Sequence, residues 1–228
     1  GLKREEAKQA VADAEQRKNT EIENNVDLTT EERAVERQKV TDAQNSANTA
    51  IDQAKTSQAL ATAQNNGTST INALTQTPVA KPAARAAIET AANNKVQQIN
   101  KSQSLTNEER TEQIAAIRQK EAAAKQAVAA QTSTQDVTST QNAQVQAIND
   151  TLVLAFKKPA ALAAIEAAEA TKRQQIQDSQ MLAEEKTAAL RDLDSKVQAA
   201  KDALKTAQSN QDVQNIENNQ LSQIQAVP

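Results

Sequence analysis

The chain of 228 residues carries 26 Lys and Arg against 29 Asp and Glu, a net charge of −3 with both signs interspersed. No basic stripe and no long apolar run is present, which argues against nucleic acid as a partner and against insertion into a membrane. The chain also lacks His and Cys, which removes the commonest catalytic base, a reactive thiol and a thiolate metal site. We therefore expect no enzyme and no cofactor.

The most informative feature of the sequence is a period of 77 residues. A fixed period of this length is typical of an array of small modules. We predict three domains, at residues 1–79, 80–156 and 157–228. The positions that carry the period include Val11, Ile88 and Ile165, then Lys18, Lys95 and Lys172, and then Ile22, Ile99 and Ile176.

Each copy begins with a stretch whose apolar residues recur at helical spacing, as Ile88, Val96 and Ile99 do in the second copy. Pro82 and Pro159 stand just ahead of this stretch, where the first position of a helix tolerates proline.

The repeated lysine at positions 18, 95 and 172 lies on the apolar stripe of this first helix. We expect its stem to cover the edge of the core while the ammonium reaches water. A binding position is the alternative interpretation.

The second stretch of each copy has the most regular apolar seam, and a capping-box pattern precedes it. In such a box a Thr and a Glu three residues apart each satisfy a backbone amide that the helix leaves unpaired. The third copy is one residue shorter and has Ala183 at this place, so we expect a weaker or shifted cap, with Ser179 as the candidate. The predicted boxes are Thr29 with Glu32 and Thr106 with Glu109.

The third stretch begins after Ser133 and Ser209, each followed three residues later by an aspartate. This pattern marks a helix start. Because no segment alternates with a period of two, strands are not expected. Each module is predicted to be a bundle of three antiparallel helices.

The segments that join the modules contain neither glycine nor a run of serine, so they are not typical of flexible linkers. A residue before proline is biased out of the helix, and we predict a short break at each joint. Leu152, Val153, Leu154 and Phe156 are expected to cap one core and pack against the next. The predicted joint residues are Pro78, Pro82, Leu152, Leu154, Phe156 and Pro159.

An odd number of helices places the entry and exit of a module at opposite ends. The predicted fold class is therefore all-α, with tandem three-helix bundles stacked end to end in a spectrin-like arrangement. From about 22 residues per helix, this elongated rod would be roughly 100 Å long.

Four motifs of the second copy carry a resemblance to a known family. They are Lys-Pro-Ala-Ala at 81–84, the Ala-rich helix ending in Lys95 and Ile99, Leu105-Thr106-x-Glu108-Glu109, and Thr134-Gln135-Asp136-Val137. Together they resemble the tandem repeats of the domain-of-unknown-function family 1542, which occurs in long arrays in cell-wall-anchored surface proteins of staphylococci, lactobacilli and related Gram-positive bacteria. The resemblance implies a stalk that carries an adhesive or biofilm-promoting head, and it supplies no catalytic residues.

The leading functional hypothesis is a structural spacer in a longer, extracellular, cell-wall-anchored bacterial protein. Its partners would be neighbouring repeats of the same chain and, in addition, a host or bacterial surface protein, and we expect a monomer. The alternative is a helical binding module for a host plasma or matrix protein, although the chain has only one aromatic residue to serve as an anchor. An intracellular spectrin-like scaffold is the third hypothesis.

Overall fold

The computed structural model describes residues 2–228. Over this range the chain forms nine α-helices and no strand, so the prediction of an all-α protein with three helices per repeat is confirmed. The helices are α1 (Leu2–Asn24), α2 (Thr30–Gln53), α3 (Ser57–Ala73), α4 (Ala80–Lys101), α5 (Asn107–Ala129), α6 (Thr134–Asn149), α7 (Lys157–Gln177), α8 (Ala183–Thr206) and α9 (Asn210–Gln225).

The helices group into two compact units. Unit 1 comprises the described residues up to Ala91 together with Glu121–Ala147, and unit 2 comprises Ala92–Lys120 and Ile148–Pro228. Unit 1 holds the complete first repeat and unit 2 the complete third repeat. Each unit also holds part of the middle repeat and the segment that connects the two repeats. The repeat boundaries predicted after residues 79 and 156 therefore lie inside compact units.

In unit 1, helices α1, α2 and α3 all pack against one another. Their core is built from small and branched aliphatic side chains, and α2 and α3 approach each other closely. Gly67 on α3 shows how close this approach is: a Cβ atom there would lie 2.7 Å from the Cβ of Ala47 on α2. The fully buried members of this core include Val11, Ile22, Leu28, Ile51 and Ile71.

In unit 2, helices α7, α8 and α9 pack in the same way around their own core. The part of the middle repeat in unit 2 has a second, smaller core of Ala92, Ile99, Leu105 and Ile117. The buried residues of the α7–α9 core include Ile165, Ile176, Leu193, Val197, Leu204, Val213 and Ile224.

In the first two repeats, the repeated lysine of the first helix differs from the prediction, because its ammonium does not extend into water. Lys18 Nζ donates to the carbonyl oxygens of Asn72 (3.2 Å) and Leu74 (2.9 Å) at the end of α3. Lys95 likewise binds Asn149 and Thr151 at the end of α6. Carbonyl groups in the last turn of a helix lack hydrogen-bond donors and carry the negative end of the helix dipole. The lysine ammonium donates hydrogen bonds to these carbonyls and offsets their negative partial charge.

The start of α8 also differs from the prediction. Ser179 does not cap α8; its hydroxyl donates to the carbonyl oxygen of Ile176 (2.7 Å) at the end of α7. Leu182 takes the N-cap position of α8 and is 67% exposed, while Met181 packs against the core in its place. The missing residue therefore lies between Ile176 and Met181, and only the Glu185 half of the capping box remains.

The close contact at Gly67 generates a prediction. Replacing glycine by alanine in a helix ordinarily adds about 1 kcal/mol of stability, but Gly67→Ala places its Cβ against that of Ala47. We expect it instead to lower the free energy of unfolding by about 1–3 kcal/mol, measured by urea denaturation. The double variant with Ala47→Gly should recover part of the loss, and a stabilised single variant would contradict the packing described.

Candidate functional site: the joints between repeats

Two segments without helix connect the repeats: linker 1 is residues 74–79, and linker 2 is residues 150–156. The contacts of linker 1 with its two flanking repeats lie within unit 1, and those of linker 2 lie within unit 2. We call these two sets of contacts joint 1 and joint 2.

At joint 1, the side-chain carboxylate of Glu32 connects the N-termini of two helices. Its Oε1 accepts from the Thr29 amide (2.9 Å), while the Thr29 hydroxyl accepts from the Glu32 amide (3.2 Å), which completes the capping box of α2. Its Oε2 accepts from the amides of Val79 and Ala80, both at 3.0 Å, where α4 begins. Glu32 therefore caps the second helix of one repeat and the first helix of the next.

Glu109 does the same at joint 2. Its Oε1 accepts from the Thr106 amide (3.0 Å), and its Oε2 accepts from the amides of Phe156 (2.8 Å) and Lys157 (3.2 Å), where α7 begins. Pro159, the third residue of α7, has no amide hydrogen to satisfy. The carboxylate and the proline thus account for three of the four N-terminal positions that a helix leaves unpaired.

These hydrogen bonds change the acidity of both glutamates. Burial alone would raise the pKa of Glu109, which is 8% exposed. The amides of Thr106, Phe156 and Lys157 outweigh this effect and hold the pKa below its ordinary value of 4.5. The same balance, with the amides of Thr29, Ala80 and Val79, lowers the pKa of Glu32.

The neighbouring glutamate binds the third helix of the following repeat. Glu31 Oε2 accepts from the Thr134 amide (2.9 Å) at the start of α6, and Glu108 Oε2 accepts from the Asn210 amide (2.7 Å) at the start of α9. The hydrogen bond from Thr134 is the main reason that the pKa of Glu31 lies below its ordinary value. These helix starts therefore depend on a carboxylate from the preceding repeat.

The predicted serine caps lie beside these contacts. The Ser133 hydroxyl accepts from the Asp136 amide (3.0 Å), and the Ser209 hydroxyl accepts from the Asp212 amide (2.9 Å). A backbone bond adds to each joint, from the Thr30 amide to the Thr132 oxygen (2.9 Å) and from the Asn107 amide to the Gln208 oxygen (2.6 Å).

At each joint, a buried lysine in the first helix of the following repeat binds one backbone carbonyl oxygen in each of the two repeats. Lys81 Nζ donates to the oxygen of Val26 (2.9 Å) in the preceding repeat and to that of Ala129 (3.0 Å) at the end of α5. Lys158 Nζ contacts the oxygens of Gln103 (2.8 Å) and Lys205 (3.3 Å) in the same way. Burial, with the nearby charge of Arg110, lowers the pKa of Lys158.

Sequence reasoning missed the role of these lysines, although the signal was present. Each precedes a proline, at a spacing of 77 residues. Pro82 and Pro159 occupy the third position of their helices, not the first as predicted, and the lysine that binds at the joint occupies the second position.

Linker 2 corrects the prediction for its apolar residues. Val153 and Ala155 pack against the small core of unit 2, but Leu152, Leu154 and Phe156 are 74%, 49% and 64% exposed. Side chains of an extended segment alternate between two sides. The side-chain amide of Gln113 fixes this alternation, because its nitrogen donates to the oxygen of Leu154 (2.6 Å) and its oxygen accepts from the Leu154 amide (3.2 Å).

The two joints differ in an ion pair. In joint 1, Arg85 makes two hydrogen bonds of 3.0 Å to the carboxylate of Asp27. The positions 77 residues later hold Leu162 and Ser104, so joint 2 has no such ion pair. Half-buried Pro78 of linker 1 likewise corresponds to Ala155 of linker 2.

Among the described residues, no group of three His, Cys, Asp or Glu side chains is placed to hold a metal ion. No helix in this range is long and apolar enough to cross a membrane. What the joints offer chemically is a set of fixed hydrogen bonds between charged side chains and backbone groups.

Comparison with known proteins gives one family. Three consecutive segments, residues 3–79, 80–155 and 157–228, match the family described as Domain of Unknown Function (DUF1542). No curated protein and no solved structure matches the chain.

The shared carboxylates generate a prediction on pH. Because their pKa lies lower in the folded protein than the ordinary 4.5, their stabilisation is complete above that value. It is lost as the pH falls through 4.5 and then through the lower folded pKa. Between about pH 6 and about pH 3, the free energy of unfolding should fall less steeply in the double variant Glu32→Gln, Glu109→Gln than in the parent chain.

In chemical denaturation at neutral pH, Glu109→Gln alone should cost about 1–3 kcal/mol, since an amide cannot accept at both positions. The exposed Glu112 of the same helix provides the control, and Glu112→Gln should change little. Parallel pH profiles for the parent chain and the double variant would contradict the role given to the carboxylates.

The buried lysine generates a second prediction, for which the chain offers an adjacent control. Lys158→Met keeps much of the apolar stem but removes the ammonium that binds two carbonyl oxygens. We expect it to lower the free energy of unfolding by about 1–2 kcal/mol. Lys157→Met, at the exposed neighbouring position, should leave stability unchanged, and equal effects of the two variants would refute the role of Lys158.

Proposed function

The chain belongs to the DUF1542 family, in three tandem copies, and on this premise we propose that it is a structural spacer. In this proposal it forms a stalk segment of a longer bacterial surface protein, anchored to the cell wall and extracellular, and projects another domain of that protein. Its partners within the chain are its own neighbouring repeats.

The observation that supports the proposal is the recurrence of the same charged contacts at both joints. Glu32 and Glu109 cap the helix that starts the next repeat, and Lys81 and Lys158 bind carbonyl oxygens on both sides of the joint. Charged side chains are seldom buried unless they are paired or hydrogen-bonded. These four side chains make such hydrogen bonds where one repeat meets the next, and contacts that hold successive repeats together support a spacer.

The proposal includes no catalytic step. A general acid or base needs a carboxylate whose oxygens can reach a substrate proton. Both oxygens of Glu32 and both oxygens of Glu109 accept backbone hydrogen bonds instead. The low pKa of each group also keeps it ionised at neutral pH, which suits a helix cap.

A second candidate function, a binding module for a host plasma or matrix protein, is favoured by one observation. The exposed side chains of Leu152, Leu154 and Phe156 form an apolar row, and the phenylalanine is the only aromatic residue of the chain. Large apolar side chains often supply the anchors of protein interfaces.

Linker 1 provides the matched control for this second function, because it carries Thr75, Thr77 and Val79 at the corresponding positions. A protein partner captured in stoichiometric amount from serum or extracellular matrix should be lost in the variant Leu152→Thr, Leu154→Thr, Phe156→Val. Retention of the partner by this variant would exclude the row as its binding site.

The spacer function predicts an extended particle in solution. Small-angle X-ray scattering of the 228-residue chain should give a maximum dimension of roughly 100 Å, from three successive bundles of helices about 22 residues long. A compact globule of this length would have a radius of gyration of about 17 Å, and a measured value near it would refute the spacer. The variant Glu32→Gln, Glu109→Gln tests whether the extension depends on the joints.

A further inference from the structure

Joint 2 contains an open groove of about 510 Å³, within the range of small-molecule sites. It lies between the start of α7, the end of α8 and the loop that precedes α5. The residues that line it are Gln103, Ser104, Lys158, Pro159, Leu162, Gln198, Lys201, Leu204 and Lys205.

The groove exists where joint 1 holds an ion pair. Leu162 and Ser104 of joint 2 stand 77 residues after Arg85 and Asp27, whose guanidinium and carboxylate are joined by two bonds of 3.0 Å. The first joint thus supplies its own carboxylate at this place, and the second has none.

The floor of the groove is apolar and its rim is cationic. Leu204 is buried and Leu162 is half-buried, and no Asp or Glu is among the lining residues. In the described part of the chain Lys201 and Lys205 make no ion pair, whereas Lys125, the counterpart of Lys201 in the second repeat, contacts both Glu89 and Glu121.

The third lysine of the rim, Lys158, retains donor capacity. Its ammonium has three N–H donors, and the oxygens of Gln103 and Lys205 accept two of them. An anion in the groove would meet the positive charges of these three lysines beside apolar side chains, with no carboxylate among the lining residues to oppose them.

We propose that this groove binds a small amphipathic carboxylate, with the aliphatic chain on Leu162, Leu204 and Pro159 and the carboxylate among Lys158, Lys201 and Lys205. The apolar floor disfavours a fully polar anion such as inorganic phosphate, and the lysines disfavour a neutral or cationic amphiphile. The inference does not depend on the spacer function, because it concerns a ligand and not the extension of the chain.

The test uses octanoate as the probe and amide NMR of the full chain as the readout. Octanoate should shift the resonances of residues 103–104, 158–162 and 198–205 in a saturable manner. Residues 26–27 and 81–85 of joint 1 serve as an internal control and should not shift. Octanol and octylammonium, which have the same chain without the negative charge, should bind more weakly.

Variants then separate the groove from the joint. Lys201→Gln and Lys205→Gln should each weaken octanoate binding about threefold, as expected for partly exposed charges, while Lys196→Gln, also on α8, should not. Leu162→Arg with Ser104→Asp places the ion pair of joint 1 in joint 2 and should abolish saturable binding.

The two lysine variants change surface positions only, so they remain informative if the Arg–Asp variant fails to fold. Equal affinity for octanoate and octanol would overturn the proposal. So would unchanged binding in both lysine variants, or equal shifts at joint 1.

Discussion

At each joint, two helix N-termini share one carboxylate. A helix leaves its first backbone amides without hydrogen-bond partners. In a capping box, the glutamate uses only one carboxylate oxygen, to accept from the N-cap amide of its own helix. Because a carboxylate has two oxygens, Glu32 and Glu109 each close the box of one helix with Oε1 and satisfy the next repeat with Oε2. A glutamate in the first turn of one helix therefore caps the start of another helix, at amides 47 and 48 residues after it in the chain.

The lysines complement the glutamates at the opposite ends of helices. Lys18 and Lys95 bind the ends of third helices within their own repeats, and Lys81 and Lys158 bind across the joints. Removing a charge from water is costly unless hydrogen bonds replace those that water made. Here the replacement comes largely from backbone carbonyls that lack hydrogen-bond donors. The same hydrogen bond therefore satisfies the buried ammonium and the unpaired carbonyl.

Local patterns in the sequence predicted the helices and the caps well. Thr29 with Glu32 and Ser209 with Asp212 are separated by three residues, and their geometry is set within one helical turn. Such local patterns do not predict the hydrogen bond from the Val79 amide to Glu32, because the two residues lie far apart in the chain. Local patterns do not predict the acceptors of the Lys18 ammonium either, because these lie 54 and 56 residues away. The exposure of Phe156 differs from the prediction because hydrophobicity alone does not reveal which side of an extended segment faces the core.

The sharing of a carboxylate links the folding of successive repeats. If α2 unfolds, Glu32 no longer holds the amides of Val79 and Ala80, and α4 loses its cap. The stability of a repeat then includes a term that exists only while its predecessor is folded, which is the nearest-neighbour behaviour of a one-dimensional array. Such coupling is reciprocal: the same hydrogen bonds are lost whichever of the two repeats unfolds, so the unfolding of either repeat destabilises its neighbour.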